Sequence, residues 1–486
     1  MFSQQRLKVY LGLLIIILLW DIDSCSAEDW PMFRHDTIHS GISSNYPELK
    51  FPLNLKWKCQ LGPFIDSSPA IVDGIIYLGA GFALDENLSV TSESYRVFAI
   101  DSQDGTIKWS YPTGADVYSS PAVTDGRVYI GSYDSKVYAI ETKHGTLAWS
   151  SETGAGQVVE SSPCIVKGVC YVVCTNGYLY ALDSVTGTET WKCKIGEEKH
   201  PYIGGSGYSS PAVFNNMIYV GYENMLHAIT TNGSITWTGT TSERIVSSPT
   251  IDEANNTVCI GSDDNCLYVF DIANGSVKWQ QQTNADVASS PAIAKGVVYI
   301  GSDDGNVYAF DAQTGDKRWS FNTGDEVHSS PAVVNGVVYI GSNNGKIYAL
   351  DASNGDKKWF YQTSAFITSS PVISNGVLYV ASWDGNVYAF HNGPAAKWEP
   401  VIYTFPNPAK DVSILTFRYL LGEGCEVNID IYDMNYDLIA SLDGGEFQND
   451  GYYEKLWDIS NIGSGVYMYV FKAGNKKVVK KLTIVK

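Results

Sequence analysis

The sequence of 486 residues is poor in basic side chains, with 33 Lys and Arg against 52 Asp and Glu and a formal net charge of −19. Because nucleic-acid phosphates are neutralised by Lys and Arg, this balance argues against a nucleic-acid ligand. It also argues against an anionic membrane surface. The sequence has no HExxH, GxSxG or P-loop motif, so these common catalytic and nucleotide-binding patterns are excluded. We interpret the excess of acid as a solvated surface.

Long hydrophobic runs are also scarce. The run Val9–Trp20 has 12 residues and is shorter than the ~20 that span a bilayer. Arg6 and Lys8 supply positive charge before it and small residues follow it, which is the pattern of a secretory signal. We predict a signal peptide over residues 1–27 and no transmembrane span after its removal. An uncleaved anchor and a lipoprotein anchor at Cys25 are weaker alternatives.

The nine cysteines include no adjacent pair and no C-x-x-C spacing of the kind that binds zinc. Export would permit disulfides. Cys259 and Cys266 flank one hairpin turn, so they are candidates to face each other, and Cys164, Cys170 and Cys174 share another hairpin. The sequence does not determine which of them pair.

A repeat of about 40 residues dominates the chain, and its clearest copy runs from Ser289 to His328. Turn residues at Lys295-Gly296, Asp303–Gly305 and Thr314-Gly315 separate four short apolar runs, which predicts four strands joined by three tight turns. Such a unit cannot bury both faces alone, so it must stack on copies of itself.

Eight copies are present, each with Ser-Ser-Pro at its start and a Trp before the next copy. The prolines are Pro69, Pro121, Pro163, Pro211, Pro249, Pro291, Pro331 and Pro371. The tryptophans are Trp57, Trp109, Trp149, Trp191, Trp237, Trp279, Trp319 and Trp359. Four strands per repeat predict an all-β, eight-bladed β-propeller with four antiparallel strands per blade. An open β-solenoid is the alternative, but its coils are usually shorter.

The repeat resembles the PQQ-repeat (pyrroloquinoline-quinone) β-propellers, whose signature is AxDxxTGxxxW. Ala309, Asp311, Gly315 and Trp319 show the full motif. The resemblance extends from about Trp30 to Trp398. It implies that each Trp is structural: the indole of an outer strand docks between blades on small Ala and Gly residues of a neighbour.

The lead-in before the ring covers residues 28–52. Its first part, Asp29 to Gly41, resembles the lead-in of many PQQ-repeat propellers. His35 and His39 are four residues apart, as two metal ligands on a helix can be. The segment is too turn-rich for a helix, and we predict no metal site.

The propeller itself is expected over residues 53–398. Its first Trp strand, Leu53–Gln60, precedes the first inner strand, so we predict that it completes the last blade and closes the ring. A strand at Trp398 is the alternative. His391 stands in place of the motif Asp before Trp398, which favours the strand of Trp57.

The loops that enter the inner strands, together with the middle turns of the blades, should surround one mouth of the channel. Loops on a rigid scaffold are where binding residues concentrate. The ligand-face candidates are Asp66, Asp116, Tyr118, Glu160, Tyr208, Arg244, Asp286, Glu326, His328 and Trp383. Two insertions, Gly81–Tyr95 and Lys194–Tyr208, are expected at the same end.

The family resemblance raises the possibility of a quinoprotein dehydrogenase. Members of that kind hold PQQ above a Ca²⁺ bound by Glu, Asn and Asp, and they carry a disulfide between adjacent cysteines. This sequence has no adjacent cysteines, and no motif identifies the Ca²⁺ ligands. Because the repeat specifies blade packing and not a cofactor, we predict no cofactor and no catalytic residue. PQQ with Ca²⁺ stays an alternative.

After the last repeat, residues 399–486 contain six or seven short β-like runs, which suggest an immunoglobulin-like sandwich. The domain resembles two C-terminal modules of exported bacterial proteins, the type IX secretion sorting type and the flagellar-hook-scaffold immunoglobulin-like type. The matching segments are Pro406–Pro408, Ile431–Asp433, Gly463–Tyr467 and Lys480–Lys486. As a sorting signal it would imply passage across the outer membrane, and as a plain sandwich module it would be only a spacer or adhesion domain.

Taken together, the sequence predicts an exported, non-catalytic propeller that binds a protein or a surface ligand. It is expected to be secreted or attached to the cell surface, with the periplasm as the alternative, and to be monomeric. A second interpretation is a carbohydrate-binding propeller that uses Trp383 and the tyrosines of the mouth. The sequence resembles the propeller scaffold of outer-membrane β-barrel assembly less well, because that protein is a lipoprotein without a C-terminal sandwich.

Overall fold

The computed structural model describes most of the chain. The described ranges are residues 29–43, 49–62, 64–81, 95–154, 158–198, 209–393, 401–405, 409–410, 412–421, 425–434, 436–448, 451–474 and 476–486. These residues fall into two compact units, with the division between Pro394 and Ala395. The predicted signal peptide lies outside the described residues. Among the described residues, no helix is long and apolar enough to cross a membrane.

The described residues of the first unit form eight sheets, each with four antiparallel strands, which confirms the predicted propeller. The sheet of blade 7 has a fifth strand, Ile42–Ser43, which is parallel to its neighbour. The inner strands of blades 1 to 8 are Ala70–Val72, Ala122–Thr124, Cys164–Val166, Ala212–Phe214, Thr250–Asp252, Ala292–Ala294, Ala332–Val334 and Val372–Ser374. The second strands are Ile75–Ala80, Arg127–Gly131, Val169–Cys174, Met217–Tyr222, Thr257–Ser262, Val297–Gly301, Val337–Gly341 and Val377–Ala381.

The other two strands of each blade lie farther from the axis. The third strands are Arg96–Asp101, Lys136–Glu141, Tyr178–Asp183, Met225–Thr230, Cys266–Asp271, Asn306–Asp311, Lys346–Asp351 and Asn386–His391. The outer strands of blades 1 to 7 are Ile107–Pro112, Leu147–Glu152, Glu189–Lys194, Ile235–Thr240, Val277–Gln282, Lys317–Asn322 and Lys357–Gln362.

The outer strand of blade 8 comes from the start of the chain. Asn54–Gln60 pairs antiparallel with Asn386–His391, and Trp57 lies opposite Ala389. The N-terminal strand thus occupies the position that the other blades fill with the Trp strand of their own repeat. The alternative strand at Trp398 lies outside the described residues.

Local sequence explains the tight turns of the blades. In blade 6, Lys295 and Gly296 have φ of 50° and 74°, which is the left-handed geometry of a two-residue hairpin turn. The second and third strands are almost wholly buried, since both of their faces are covered by neighbouring blades. Their continuous runs of Val, Ile, Tyr and Ala follow from that burial.

The tryptophans join each blade to the next. Seven of the eight indoles pack against the motif glycine of the following blade, and each donates its Nε1–H to a backbone carbonyl there. The eighth, Trp359, makes an edge contact with Phe390, 5.2 Å between ring centroids. The motif alanine has a different place from the one that the resemblance implied: Ala309 is the cross-strand partner of Trp319 within one blade.

The second unit is a two-sheet β-sandwich around one apolar core. One sheet contains Val401–Phe405, Ile414–Leu421 and Gly451–Asp458. The other contains Ala409–Lys410, Lys476–Val485, Gly465–Ala473, Cys425–Tyr432 and Leu438–Gln448 in that spatial order. Phe417 and Tyr469, 5.1 Å apart, join the two sheets in the core.

Candidate functional site

The loops that enter the blades and the middle turns of the same blades lie at one end of the channel. In six of the blades, among the described residues, a backbone N–H of the middle turn donates to a carbonyl of the entering loop, as Asp303 does to Asp286 and Trp383 does to Phe366. This arrangement gathers the variable loops of the repeat around one opening, which we call the mouth.

Below the mouth is a cavity of about 260 Å³ on the propeller axis. Its wall is formed by two positions of each repeat, which are two residues apart. The upper position is the residue directly before Ser-Ser-Pro. In the described blades it is Asp66, Tyr118, Glu160, Val246, Ala288, His328 and Thr368. The lower position is the second serine of Ser-Ser-Pro.

These second serines, one from each blade, form a closed ring around the cavity, which we call the serine ring. Its members are Ser68, Ser120, Ser162, Ser210, Ser248, Ser290, Ser330 and Ser370. The backbone N–H of each ring serine donates to the hydroxyl of the next, at 2.8–3.3 Å, and Ser370 completes the circle by donating to Ser68. The first serine of each pair has another partner: Ser289 accepts the N–H of Gly301 within its own blade.

The lead-in crosses the far end of the channel. Its carbonyls accept N–H groups from the inner strands of six blades, at Ile71, Val123, Val213, Ile251, Ile293 and Val333. Ile42–Ser43 also pairs in parallel with the inner strand of blade 7. Phe33 from this segment lines the cavity below the serine ring. The lead-in therefore closes the end of the channel opposite to the mouth.

The lead-in is anchored by two buried side chains. Arg34 donates to the carbonyls of Pro331 and Pro291, the latter at 2.5 Å. His39 contacts the carbonyl of Pro249 through Nδ1 at 3.1 Å, and burial lowers its pKa to about 4. His35 and His39 both have positive φ in a turn, so they lack the helical geometry that a metal pair at this spacing would need.

One sector of the mouth is aromatic. Trp383 lies 5.6 Å from Phe64 and 5.7 Å from Phe366, measured between ring centroids, and Phe64 stacks on Tyr118 at 6.1 Å. Trp383 is 37% exposed and Phe366 46% exposed. The indole Nε1–H of Trp383 donates to Thr368 at 2.8 Å, which fixes the ring at the edge of the cavity.

The wall also contains two carboxyl groups, those of Asp66 and Glu160. The pKa of Glu160 is raised to about 7, mainly by burial and in part by the charge of Asp66, while Tyr133 and Arg244 oppose the shift. Arg244 is itself paired with Asp263, with Nε and Oδ2 2.8 Å apart. Arg244 is thus not free to neutralise the carboxyl groups of the wall, where the basic side chain is that of His328.

A second polar cluster lies between blades 6 and 7. Nε2 of His328 is 3.2 Å from Asp303 and 3.5 Å from Glu326. Burial opposes the charged imidazole, but the hydrogen bond to Asp303 and the nearby carboxylates of Asp303, Glu326 and Asp66 raise the pKa of His328 above its ordinary value. Among the described residues, no three His, Cys, Asp or Glu side chains are arranged to hold a metal ion.

The structure separates the predicted ligand-face residues into two sets. Asp66, Tyr118, Glu160, His328 and Trp383 line the cavity. A second set belongs to the outer rim of the mouth and is not part of the cavity wall: Asp116, Arg244, Asp286 and Glu326. Tyr208 and most of the two predicted insertions lie outside the described residues.

Sequence reasoning missed Phe33, Thr368 and the serine ring. The signal for the last two was present, because the ring serine and the wall residue before it occupy fixed positions beside every Ser-Ser-Pro. Phe33 had no such signal, since nothing local shows that the lead-in crosses the axis.

The cysteines form no disulfide among the described residues, and all eight of those described are free thiols. Cys259 pairs across the hairpin with Val269 and Cys266 with Ser262, so the two thiols suggested by the sequence are not opposite each other. Burial raises the pKa of Cys266 to about 11.

Comparison with known families supports both halves of the architecture. The family described as "Outer membrane protein assembly factor BamB" matches residues 54–202 and 175–392. A second family, described as "Secretion system C-terminal sorting domain", matches residues 403–485. No curated protein matches the chain.

Several solved structures share the propeller fold. BamB from Moraxella catarrhalis is 20% identical with a TM-score of 0.54, over 70% of this chain and 99% of that one. The quinohemoprotein alcohol dehydrogenase from Comamonas testosteroni is 16% identical with a TM-score of 0.62, over 79% and 83%. A europium-containing methanol dehydrogenase is 13% identical with a TM-score of 0.62, over 75% and 98%. At these identities the likeness concerns the fold alone.

Proposed function

Because the chain belongs to the PQQ-repeat family described as outer membrane protein assembly factor BamB, and carries a secretion sorting domain, we propose that it is an exported binding protein that captures a ligand at the mouth without chemical turnover. One observation carries the proposal: the cavity is open at the mouth, closed by Phe33 at the other end, and bounded by exposed aromatic rings beside carboxylates. Ligand-binding pockets are usually lined by aromatic side chains together with a few polar groups that point toward the ligand.

The residues of the cavity do not fit PQQ. That cofactor carries three carboxyl groups, whereas the described wall itself contains the acidic side chains of Asp66 and Glu160. Among the described residues, the basic His328 of the wall already contacts Asp303 and Glu326, and Arg244 at the rim is engaged by Asp263. Like charges at close range would oppose binding. The resemblance to quinoprotein dehydrogenases also implies a Ca²⁺ held by Glu, Asn and Asp, and among the described residues no three His, Cys, Asp or Glu side chains are arranged to hold a metal ion. We therefore assign no reaction to the cavity.

The C-terminal domain supports a location outside the cell. The protein is exported, and its sorting tail directs it to the cell surface or the medium. A binding protein in that location would meet surface ligands or other exported proteins. The eight blades form a ring in which the wall of the cavity comes from one chain, so we propose that the protein acts as a monomer.

Binding of the purified protein to intact cells of the producing organism tests the proposal. The variant Trp383→Ala/Phe366→Ala should lower the bound fraction at least tenfold, because it removes the exposed aromatic faces. Phe360→Ala is the matched control, since Phe360 is 44% exposed and belongs to the outer strand of blade 7, away from the cavity.

Two results would contradict the proposal. One is equal binding by the double variant and the control, which would place recognition elsewhere. The other is dye-linked oxidation of alcohols after the protein is incubated with PQQ and Ca²⁺, which would show turnover.

A further inference from the structure

The hydroxyls of the serine ring have hydrogen-bonding capacity beyond the contacts that join the blades. Each ring hydroxyl accepts one backbone N–H from the preceding blade, and no acceptor for its own hydrogen is found among the described residues. A serine hydroxyl has one hydrogen to donate and two lone pairs to accept with, so each ring member retains a donor and a second acceptor site. Eight such groups encircle the lower half of the cavity.

Groups of this kind match a ligand that carries many hydroxyls. A sugar hydroxyl also donates and accepts, so a serine ring can serve any orientation of the sugar around the axis.

The side chains above the serine ring further restrict the class of ligand that the cavity can bind. Exposed faces of Trp383 and Phe366 can cover the apolar C–H face of a sugar ring, as aromatic side chains do in pockets that bury apolar surface. Asp66 and Glu160 can form hydrogen bonds with sugar hydroxyls, and the carboxylate of Asp66 repels carboxylates and sulfates. This combination favours a neutral sugar over an acidic one.

The dimensions of the cavity set the size of the bound group. A volume of about 260 Å³ is below the range of roughly 300–1,000 Å³ of drug-sized ligand pockets, so it suits one ring and not a longer segment. Because Phe33 closes the far end, a polymer cannot thread through the channel. Only the end of a chain can enter.

We propose that the cavity binds the terminal ring of a neutral glycan, with the serine ring around its hydroxyls and Trp383 against its face. The inference rests on the proposed binding function and names the ligand class of the same site. It differs from that proposal in excluding a protein as the group that enters the cavity.

Calorimetric titration of the full-length protein with defined oligosaccharides provides the test. The probes are cellohexaose, mannohexaose, xylohexaose, maltohexaose and chitohexaose, with hexagalacturonate as the acidic counterpart. At least one neutral probe should bind with a one-to-one stoichiometry, and hexagalacturonate should bind at least tenfold more weakly. Tightest binding by hexagalacturonate, or no binding by any neutral probe, would overturn the inference.

A matched pair of variants locates the contact. Ser290→Ala removes one hydroxyl from the ring, whereas Ser289→Ala removes a hydroxyl that accepts the N–H of Gly301 and is not part of the wall. Ser290→Ala loses one backbone hydrogen bond, from the N–H of Ser248, whereas Ser289→Ala loses two, from the N–H of Gly301 and to the carbonyl of Ser329. The control should therefore lose at least as much stability as Ser290→Ala. Ser290→Ala should weaken binding of the neutral probe at least threefold, and Ser289→Ala should leave it within twofold. Equal effects would remove the serine ring from the site.

Trp383→Ala is the second variant, and it tests the aromatic contact. The indole of Trp383 lies at the surface, so its removal should not prevent folding. It should weaken binding of the neutral probe at least tenfold. The failure of this inference is distinguishable from failure of the proposed function: if cells bind the protein through the mouth while none of the neutral probes does, the binding role stands and the glycan assignment is wrong.

Discussion

Trp319 lays its indole against Gly355 of the next blade, where a Cβ atom added to the glycine would lie 2.7 Å from Cε3 of the ring. The same indole donates its Nε1–H to the carbonyl of Ala352 at 3.0 Å. Gly355 also has φ of +79°, a conformation that side chains rarely adopt. A side chain at this position would therefore be unfavourable for two separate reasons, the backbone angle and the space that the indole occupies.

A pair of glycine substitutions separates those two requirements. Gly355→Ala should lower the free energy of unfolding by roughly 3 kcal/mol or more, because the strain of a positive φ adds to the displacement of the indole. Gly336→Ala has the same strain, at φ +76°, with no atom within 4 Å of the added Cβ. It should lose only about 1–2 kcal/mol in urea denaturation. Equal losses would show that the indole contact adds nothing.

The indole itself is the next test. Trp319 is buried, and Trp319→Ala should lower the free energy of unfolding by about 3–5 kcal/mol through the cavity that it leaves. Trp383→Ala, at the exposed edge of the mouth, should lose less than about 1 kcal/mol. Thermal and chemical denaturation of both variants provides the comparison. An unchanged melting temperature for Trp319→Ala would remove this residue from the blade interface.

The sequence predicted the blades because their determinants are local. Turn pairs such as Lys295-Gly296 and the spacing from Ser-Ser-Pro to Trp319 recur within 40 residues, so the repeat is visible without knowing which strands meet. The serine ring was not predicted, since its bonds join different blades and Ser370 meets Ser68 across 302 positions. The crossing of the channel by the lead-in has the same long-range character.

Arg34 provides a test of that crossing. Its guanidinium is buried and bonded to the carbonyls of Pro291 and Pro331, and burial lowers its pKa to about 9. Arg34→Ala leaves both carbonyls without this donor and should lower the free energy of unfolding by roughly 2–4 kcal/mol. The control Arg318→Ala removes an exposed pair with Asp311 and should lose at most about 1 kcal/mol. If both variants lose the same free energy of unfolding in a denaturation experiment, the contacts of the lead-in with the blades do not stabilise the propeller.

The sorting domain predicts where a truncated chain goes. A protein lacking residues 406–486 should remain in the periplasm, while the full-length protein reaches the cell surface or the medium, because the deletion removes nearly all of the matched region 403–485. Fractionation followed by immunoblotting measures this distribution. Fusion of residues 399–486 to a periplasmic reporter is the reciprocal control and should carry the reporter outside. A truncated protein found in the medium would refute the sorting role.

The candidate site was predictable in part. The loops of the mouth were identified because entering loops and middle turns share one end of every blade, and Trp383 and Glu160 fall there. The sequence could not separate wall from rim. Glu326 and His328 are two residues apart in one loop, yet only His328 lines the cavity. That difference depends on the direction of the chain as it turns into the inner strand.

The pH dependence of stability tests the environment of Glu160. Burial raises the pKa of its carboxyl from 4.5 to about 7, with Asp66 adding to the shift and Tyr133 and Arg244 opposing it. Between those two pH values the folded protein holds a proton that the unfolded chain has released, so the free energy of unfolding falls as the pH rises through this window and stays lower above it. Glu160→Gln has no such proton, so its stability relative to the wild type should increase from pH 5 to pH 8 by about 1–3 kcal/mol. Urea denaturation at both pH values measures the change, and Glu152→Gln, on the exposed outer strand of blade 2, should follow the wild-type profile. If Glu160→Gln also follows the wild type, the carboxyl is solvated and the cavity does not hold it in the environment described above.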